Sequence, residues 1–339
     1  MSRNLMIPVL ASAVFIPSLA NADTITVCAN GCDYTSINDA IEDSSNGDVI
    51  QLAAETYFEG EQIDPDGKAI TLRGVLNKAG GPASVLFGTS GHRVLRCRSG
   101  ESGTTSFENL VIRNGSADVG GGMYNRDGSS PTLTNCTFTL NSASEHGGGM
   151  HNKDGSNPTL TNCTFTNNSA SDFGGGMYNY NGSEPTLDNC TFTSNSAEFG
   201  GGMCNYADNW GDAISPTLTD CTFTSNSADF GGGMYNDETS IPTLADCSIC
   251  DNAPDQIDGF WTDAGGNCVR ASCDGCDLPS DSCPTDLDQN GITDGGDLGP
   301  FFVYWGDCLV EHCPADFNDD EIVDGIDLGI LFSAWGPCR

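Results

Sequence analysis

Positively charged residues are scarce in this chain. It has 12 Lys and Arg against 47 Asp and Glu, a formal net charge of −35 over 339 residues. So acidic a surface repels nucleic acid and anionic lipid, and neither is expected as a partner. Between Gly115 and Asn252 the only Lys or Arg residues are Arg126 and Lys153. This shortage argues against a polysaccharide lyase, which needs cations beside its uronate substrate.

Long apolar runs are also missing. The apolar run from Leu5 to Ile16 lies in the opening segment MSRNLMIPVLASAVFIPSLANA and is too short to span a bilayer. Arg3 precedes this run, and a small-x-small end at residues 20–22 follows it, which is typical of a secretory signal peptide. The sequence therefore predicts a signal peptide over residues 1–22, cleaved near Ala22. The mature protein is expected to be secreted, extracellular or at the cell surface, without membrane insertion.

What the chain has in abundance is repetition. A unit that opens with GGGM and continues through PTLTN and CTFTxN occurs five times over residues 120–252. Each unit holds three short β-favouring pieces separated by Gly, Asn, Asp, Ser and Pro, so each predicts one three-stranded coil of a parallel β-helix. The methionines recur at spacings of 27, 27, 26 and 31 residues, at Met123, Met150, Met177, Met203 and Met234.

Stacked coils place equivalent residues above one another at about 4.8 Å. We expect apolar core columns at Leu133, Leu160, Leu187, Leu218 and Leu244 and at Phe138, Phe165, Phe192, Phe223 and Ile249. Inward, unpaired cysteines are expected at Cys136, Cys163, Cys190, Cys221 and Cys247. Hydrogen-bonded amide ladders are expected at Asn141, Asn168, Asn195, Asn226 and Asn252 and at Asn125, Asn152, Asn179, Asn205 and Asn236. An outward aromatic row, interrupted by Cys204, is expected at Tyr124, His151, Tyr178 and Tyr235.

Residues 23–119 have less regular coils and one short helical pattern. Ile37, Ala40 and Ile41 recur at helical spacing within Tyr34 to Ser45, behind Thr35 or Ser36 as the N-cap. Because an open solenoid end exposes core and strand edges, this helix is predicted to cap the β-helix.

Residues 23–270 resemble the right-handed parallel β-helices of the pectin lyase-like superfamily. The resemblance is carried by DYTSINDAIEDSSNGDVIQLAAETYFEG, by GKAITLRGV, and by GGGM and FTxN pairs similar to the GGAI and FxxN repeats of polymorphic membrane proteins. It implies an all-β fold. The superfamily includes lyases, hydrolases and adhesins, so the resemblance implies no particular activity.

The last 57 residues carry two calcium-loop patterns in register. Short acids alternate at positions 1, 3, 5, 7, 9 and 12, the spacing that gives Ca²⁺ its oxygen ligands. Loop 1 has Asp286, Asp288, Asn290, Ile292 (through its carbonyl), Asp294 and Asp297. Loop 2 has Asp316, Asn318, Asp320, Ile322, Asp324 and Asp327. Gly291 stands at position 6 of loop 1, whereas Glu321 replaces the usual Gly in loop 2.

An apolar helical pattern follows each loop and predicts a small shared core. The two patterns are Leu298, Phe301, Phe302 and Trp305, then Leu328, Leu331, Phe332 and Trp335. Loop, helix, linker, loop and helix together resemble a dockerin, an EF-hand-like module. The resemblance implies calcium as the cofactor, an α-helical domain over residues 283–339 behind a Cys-rich linker at 271–282, and a cohesin-like or other cell-surface protein as a partner.

The 17 cysteines favour disulfides in an exported protein. Cys28 and Cys32 are predicted to form a local bridge. If the two calcium motifs pack antiparallel, Cys283 meets Cys338 and Cys308 meets Cys313. A zinc site formed by Cys247-x-x-Cys250 and Cys273-x-x-Cys276 is the weaker alternative.

Two segments are candidates for a ligand site. The insertion at residues 206–215 presents Trp210 between Asp208 and Asp212, and a second cluster holds His146 and His151 near Glu145. The predicted function is a non-catalytic adhesive, structural or polysaccharide-binding role, anchored by the calcium module. The alternative is an extracellular polysaccharide lyase or glycoside hydrolase attached through that module.

Overall fold

The chain forms a parallel β-helix followed by a small helical segment. The computed structural model describes residues 22–89, 91–207 and 214–273 and, in the C-terminal part, residues 285, 287, 292–293, 295–303, 305–307, 315, 317, 322–333 and 335–337. Each repeat contributes one strand to each of three long sheets, which we call the leucine, phenylalanine and methionine sheets after their inward residues. No helix in the described part is long and apolar enough to cross a membrane.

The strands of the three sheets are parallel and recur in the same order in every coil. The leucine sheet contains Thr24–Val27, Val49–Leu52, Thr71–Arg73, Ser106–Glu108, Thr132–Thr134, Thr159–Thr161, Thr186–Asp188, Thr217–Thr219, Thr243–Ala245 and Thr262–Asp263. The phenylalanine sheet contains Thr56–Tyr57, Ser84–Phe87, Leu110–Arg113, Thr137–Thr139, Thr164–Thr166, Thr191–Thr193, Thr222–Thr224, Ser248–Cys250 and Cys268–Arg270.

The methionine sheet carries the candidate site described below. Its strands are Leu95–Cys97, Met123–Asn125, Met150–Lys153, Met177–Tyr180, Met203–Tyr206, Met234–Asn236 and Ile257–Asp258. A short fourth sheet lies in the turns that lead into it and contains Ser116–Val119, Ser142–His146 and Ser169–Ala170. Strand register therefore carries each residue of one repeat onto its counterpart in the next.

The core consists of the predicted columns. Leu160 pairs in register with Leu133 and Leu187, and Phe165 pairs with Phe138 and Phe192. Successive phenylalanine rings of this column stack nearly parallel, with centroids 4.5–4.7 Å apart. All five repeat methionines and all five cysteines of the predicted column are buried, and the cysteines are unpaired, as predicted.

Both predicted asparagine ladders are present and buried. In the first, Nδ2 of Asn168 donates to Oδ1 of Asn195 at 3.0 Å and to the carbonyl of Phe138 at 3.0 Å. In the second, Nδ2 of Asn152 donates to Oδ1 of Asn179 at 2.9 Å. The ladders satisfy turn backbone inside the solenoid, where an unpaired polar group costs free energy.

The glycine triplets are required where neighbouring coils approach most closely. A Cβ on Gly149 would lie 2.4 Å from the carbonyl oxygen of Gly176 and 2.8 Å from the ring of Phe165. Both distances are shorter than a van der Waals contact, so no side chain fits at this position. The glycine triplet therefore sets how closely the coils stack.

The N-terminal end is capped as predicted. A helix, α1, spans Ile37–Asp43, and Oγ of Ser36 accepts from the backbone N–H of Asp39 at 3.2 Å as its N-cap. The apolar face of α1 packs on the β-helix core through Ile37, Ala40 and Ile41.

Disulfides lie at both ends of the solenoid. Cys28 and Cys32 are bridged, as the CANGC segment predicts, and a second bridge joins Cys250 to Cys273. The second bridge uses two of the four cysteines of the zinc alternative, and Cys247 is buried in its column, so the zinc hypothesis is wrong. The predicted partners Cys283, Cys308, Cys313 and Cys338 lie outside the described residues.

The C-terminal segment has two short helices, α2 at Leu298–Val303 and α3 at Gly325–Ser333. Two antiparallel two-residue pairings join them crosswise, Ile292–Thr293 with Gly336–Pro337 and Gly306–Asp307 with Ile322–Val323. Phe301, Ala315, Val323 and Leu331 form a small buried core.

The helical patterns are only half buried, however. Phe302, Trp305, Phe332 and Trp335 are each about half exposed, at 52%, 49%, 50% and 48%. The prediction that they belong to a shared core is therefore wrong for these four rings: Phe302 and Phe332 lie on the outer faces of short helices, and Trp305 and Trp335 lie two residues beyond the helix ends.

Candidate functional site

The outer face of the methionine sheet carries a column of aromatic residues. Strand register aligns Tyr124 with His151, His151 with Tyr178, and Tyr178 with Cys204. The sequence predicts that this row is exposed, and that prediction is wrong for most of it. Tyr124, His151 and Tyr178 are only 9%, 3% and 3% exposed, so a second layer of residues covers them.

That second layer, which we call the outer shelf, consists of His146, Phe173, Phe199 and Phe230. These residues pair coil by coil through parallel bridges. The Phe173 ring lies 5.5 Å from that of Tyr178, and the Phe199 ring lies 5.2 Å from that of Tyr235. A sequence signal for the shelf exists, since Phe precedes the glycine triplet in three successive repeats, in DFG, EFG and DFG.

A cleft opens where the shelf is lowest. Val119 occupies the shelf position one coil before His146, and because it has no ring the shelf is lower there. The resulting aromatic cleft has a volume of about 370 Å³. Its lining residues are Val119, Tyr124, Glu145, His146, His151, Lys153, Phe173, Tyr178, Tyr180 and Tyr206.

His151 lies at the floor of the aromatic cleft. Its ring centroid is 5.1 Å from that of Tyr124, 4.9 Å from that of Tyr178 and 6.1 Å from that of His146. Burial, together with the nearby His146, Lys153 and Arg93, lowers the pKa of His151 well below its ordinary value. The imidazole is therefore neutral at physiological pH. Neither ring nitrogen has a hydrogen-bond partner among the described residues.

Cations are concentrated on the same face. Arg96 occupies the position of Tyr124 in the preceding coil, and Tyr180 occupies the position of Lys153 in the following coil. Arg98 and Arg126 stand at the positions equivalent to Lys153 in the two preceding coils, and Arg93 lies two residues before the strand of Arg96. These five are nearly half of the eleven Lys and Arg residues that follow residue 22.

These cations differ in how their charge is compensated. Arg96 and Arg98 both contact Oδ2 of Asp64, at 2.8 and 3.4 Å. Arg93 and Lys153 form no ion pair within the described part of the chain, and each lies over a tyrosine ring instead. The Arg93 guanidinium carbon is 4.8 Å from the Tyr124 centroid, and Lys153 Nζ is 5.5 Å from the Tyr180 centroid.

A second depression, the basic groove, adjoins the aromatic cleft. It has a volume of about 480 Å³ and is lined by Gln62, Gly91, His92, Arg93, Arg96, Ser116, Ala117, Asp118 and Ser144. The groove and the cleft meet where Arg93 stacks on Tyr124. The lining residues of the two depressions belong to several successive coils of the β-helix.

Sequence reasoning found part of this site. Glu145, His146 and His151, a weak candidate on sequence grounds, all line the aromatic cleft. The cations of residues 93–98 were missed, because they precede the regular repeats and their alignment with Arg126 and Lys153 follows only from coil register. The other candidate, with Asp208, Trp210 and Asp212, lies outside the described residues.

Few of the predicted calcium ligands can be located. Of loop 1 only Ile292 and Asp297 are described, and of loop 2 only Ile322, Asp324 and Asp327. Asp297 and Asp327, the acids at position 12, are both fully buried. The described residues contain no group of three or more His, Cys, Asp or Glu side chains placed to hold a metal.

Asp327 is held by backbone donors. Its Oδ1 accepts from the N–H of Phe317 at 2.8 Å, and its Oδ2 accepts from the N–H of Asp324 at 2.9 Å. The carboxylate is therefore turned back into its own loop.

Some solved structures are distantly similar to this chain. Solved structures with similar coordinates include a pectin methylesterase in complex with a hexasaccharide, with 13% identity, 71% of this chain and 80% of that chain covered, and a TM-score of 0.43. Another is the deglycosylated pectin methylesterase from Aspergillus niger, with 12% identity, 74% and 90% covered, and a TM-score of 0.38. At these values the likeness carries no argument about activity.

No curated protein matches the chain. One family model does match, described as "Right handed beta helix region", over residues 88–212. The matched stretch includes the cations at positions 93–98 and the whole aromatic cleft up to Tyr206. The solenoid that holds the candidate site is thus a right-handed parallel β-helix.

Proposed function

We propose that this is an exported β-helix protein that binds an acidic polysaccharide along the aromatic cleft and the basic groove without cleaving it. The observation that carries the proposal is the meeting of unpaired cations with tyrosine rings on one concave face of a strongly acidic protein. Arg93 over Tyr124 and Lys153 over Tyr180 are the two central pairs.

The residue types suit an acidic sugar chain. Tyr180 and Tyr206, the partly exposed tyrosines of the cleft, offer an apolar face for the C–H side of a pyranose and a polar edge for its hydroxyl groups. Guanidinium and ammonium groups pair with carboxylate or sulfate, and Arg does so in a planar, two-pronged geometry. Arg93 and Lys153 have no carboxylate partner within the described residues, so a ligand would not have to displace one.

The scaffold makes the site rigid. The strands that line the aromatic cleft also carry the Asn125–Asn236 ladder. Its amide hydrogen bonds between successive coils are 2.8–2.9 Å long. A preorganised surface loses little conformational entropy on binding, which favours affinity for an extended ligand. Disulfides at both ends of the solenoid suit an oxidising, extracellular location.

The C-terminal segment is proposed to be the calcium-binding, dockerin-like module. The described residues fit in part: Asp297 and Asp327 are buried acids at the last ligand position of each loop. The loop acids and the carbonyls of Ile292 and Ile322 would hold the ions. Bound calcium would neutralise clustered carboxylates and so stabilise the module.

This module is also proposed to anchor the protein to a cohesin-like or other surface protein. The support is a matched pair of exposed aromatic clusters: the Phe302 and Trp305 centroids are 5.5 Å apart, and those of Phe332 and Trp335 are 5.4 Å apart. Half-exposed aromatic rings are over-represented in protein interfaces.

Binding can be tested by affinity electrophoresis of the full chain in gels with polygalacturonate, alginate, a sulfated glycan or a neutral glucan. Retardation by an acidic polymer and not by the glucan is expected. An Arg93→Ala/Lys153→Ala variant should lose the retardation. A Lys78→Ala/Arg113→Ala variant, with the same charge change away from the site, should keep it. Equal behaviour of the two double variants would refute the assignment of the face.

A polysaccharide lyase is a second candidate, because a neutral imidazole lies beside two cations. In such a reaction His151 would take the proton α to a uronate carboxylate, the electron pair would form a carbon–carbon double bond, and the bond to the β oxygen would break. The leaving oxygen would take a proton from water, and Lys153 and Arg93 would stabilise the developing negative charge. The ultraviolet absorbance of unsaturated uronate would reveal the product. None is expected if the protein only binds.

A further inference from the structure

His151 is a buried polar residue with no evident structural task. It is 3% exposed, it lines the aromatic cleft, and both Nδ1 and Nε2 lack hydrogen-bond partners among the described residues. Leaving buried polar atoms unpaired costs free energy. The fold does not require this cost, because tyrosine occupies the same column one coil earlier, at Tyr124, and one coil later, at Tyr178.

The charge state of His151 restricts what can pair with it. Burial and the neighbouring Arg93, Lys153 and His146 favour the uncharged ring. A neutral imidazole has one N–H donor and one acceptor nitrogen. A carboxylate or sulfate only accepts and an ammonium only donates, so neither satisfies both atoms. A hydroxyl group donates and accepts, and a sugar ring carries several.

A metal ion fits less well. The described residues include no third ligand beside His146 and His151. A metal would also occupy one nitrogen of His151 and leave the other unpaired, whereas neighbouring hydroxyls of one sugar can reach both.

We infer that His151 recognises free hydroxyl groups of a sugar ring seated in the aromatic cleft against the His151 ring, so that the cleft selects sugars unsubstituted at those positions. The inference rests on the proposed polysaccharide binding. Within the site, the cations bind the acidic substituent and set the strength of attraction, whereas His151 binds the hydroxyl groups and determines the specificity.

The test compares polygalacturonate with the same polymer after O-acetylation of its hydroxyl groups, which keeps the carboxylates. Full-length wild type is measured beside two variants. His151→Phe keeps an aromatic ring of similar size but has no nitrogen, and His151→Gln keeps one donor and one acceptor. Phe should fold at this position because tyrosine rings fill it in adjacent coils. Circular dichroism and thermal melting check the fold of each.

Wild type is expected to bind the acetylated polymer about tenfold more weakly than the free polymer. His151→Phe should bind both polymers at that weaker level, and His151→Gln should recover part of the difference. If wild type binds both polymers equally, or if His151→Phe binds like wild type, the role of His151 is refuted while polysaccharide binding stands. If wild type binds no polysaccharide, the proposed function fails and the inference fails with it.

Discussion

The guanidinium carbon of Arg93 lies 4.8 Å from the centroid of the Tyr124 ring. The two residues belong to successive coils, and parallel stacking brings them together at the junction of the basic groove and the aromatic cleft. The ring shields one face of the guanidinium, and burial lowers the pKa of Arg93, which nevertheless stays charged. The Arg93–Tyr124 contact therefore joins the basic groove, which is lined by cations, to the aromatic cleft.

Replacing Arg93 with Ala should weaken binding to polygalacturonate by about tenfold or more, because one charge-assisted hydrogen bond to a carboxylate contributes about 1.5–3 kcal/mol. Arg93→Lys keeps the charge but loses the planar stacking, so its affinity should fall in between. Isothermal calorimetry at low and moderate salt measures both effects, since the lost electrostatic term is the salt-sensitive part. Arg113→Ala, on the phenylalanine sheet, is the matched control. An unchanged affinity for Arg93→Ala would contradict the proposed subsite.

Acid should destabilise the wild-type protein through His151. Its pKa is lowered in the folded state, so below about pH 6.5 the unfolded chain binds a proton that the folded chain does not. Stability therefore rises with pH between the folded pKa and about 6.5, by at most about 1.4 kcal/mol per pH unit. Urea midpoints across this range should drop for wild type more steeply than for His151→Phe. Parallel curves for the two proteins would show that the buried imidazole does not titrate in this way.

The asparagine ladder should be the most sensitive part of the core. The Oδ1 of Asn168 accepts from the backbone N–H of Asn141 at 3.1 Å and from Nδ2 of Asn141 at 3.0 Å. Asn168→Ala leaves the buried N–H of Asn141 without this acceptor and also removes the hydrogen bonds that Asn168 Nδ2 donates to the Phe138 carbonyl and to Asn195 Oδ1. Each such group costs about 1–3 kcal/mol, so a loss of about 3 kcal/mol or more is expected from urea unfolding.

The adjacent Asn167 provides the control for that substitution. It is exposed and has a φ of 55°, a conformation that glycine adopts without strain. Asn167→Gly should therefore change stability by no more than about 0.5 kcal/mol. Similar losses at both positions would show that the ladder adds nothing beyond an ordinary turn.

The repeats explain why the fold could be predicted and the site could not. A column such as Leu133 to Leu244 is visible in the sequence because every coil repeats it. The outer shelf and the cations depart from the repeat, and their meaning depends on which residues become neighbours in space. The row at Tyr124 is an example: alternation along the strand predicts that it points outward, and it does, but Phe173 and its equivalents from a neighbouring turn then cover it.

The unpaired cysteines should be chemically silent in the native protein. Seven are described as buried, and burial raises the pKa of Cys97 and Cys204 well above the ordinary thiol value. Hydrogen bonding with the Cys136 and Cys190 thiols, together with burial, likewise raises the pKa of Cys163. Iodoacetamide should leave all seven unmodified until urea unfolds the chain, as peptide mapping by mass spectrometry would show.

Cys28, Cys32, Cys250 and Cys273 supply the internal control in that experiment. Because they are disulfide-bonded, they should stay unmodified in both states when no reductant is added. Rapid labelling of Cys163 in the native protein would mean that the column opens readily, and the core would then be less rigid than the ladders imply.

Calcium should stabilise the C-terminal segment and leave the β-helix unchanged. At a free concentration one hundred times its Kd, a ligand that binds only the folded form adds about 2.7 kcal/mol. Asp297→Ala/Asp327→Ala removes both buried position-12 acids, so the calcium-dependent rise in melting temperature should vanish, whereas Asp319→Ala, at a non-ligand position of loop 2, should keep it. Scanning calorimetry with calcium and with chelator separates the two transitions.

Asp327 allows a stricter test, because its carboxylate already accepts hydrogen bonds from two backbone N–H groups within its loop. If those contacts are its whole role, Asp327→Ala will destabilise the segment equally with and without calcium, and only a loss confined to calcium would support a ligand.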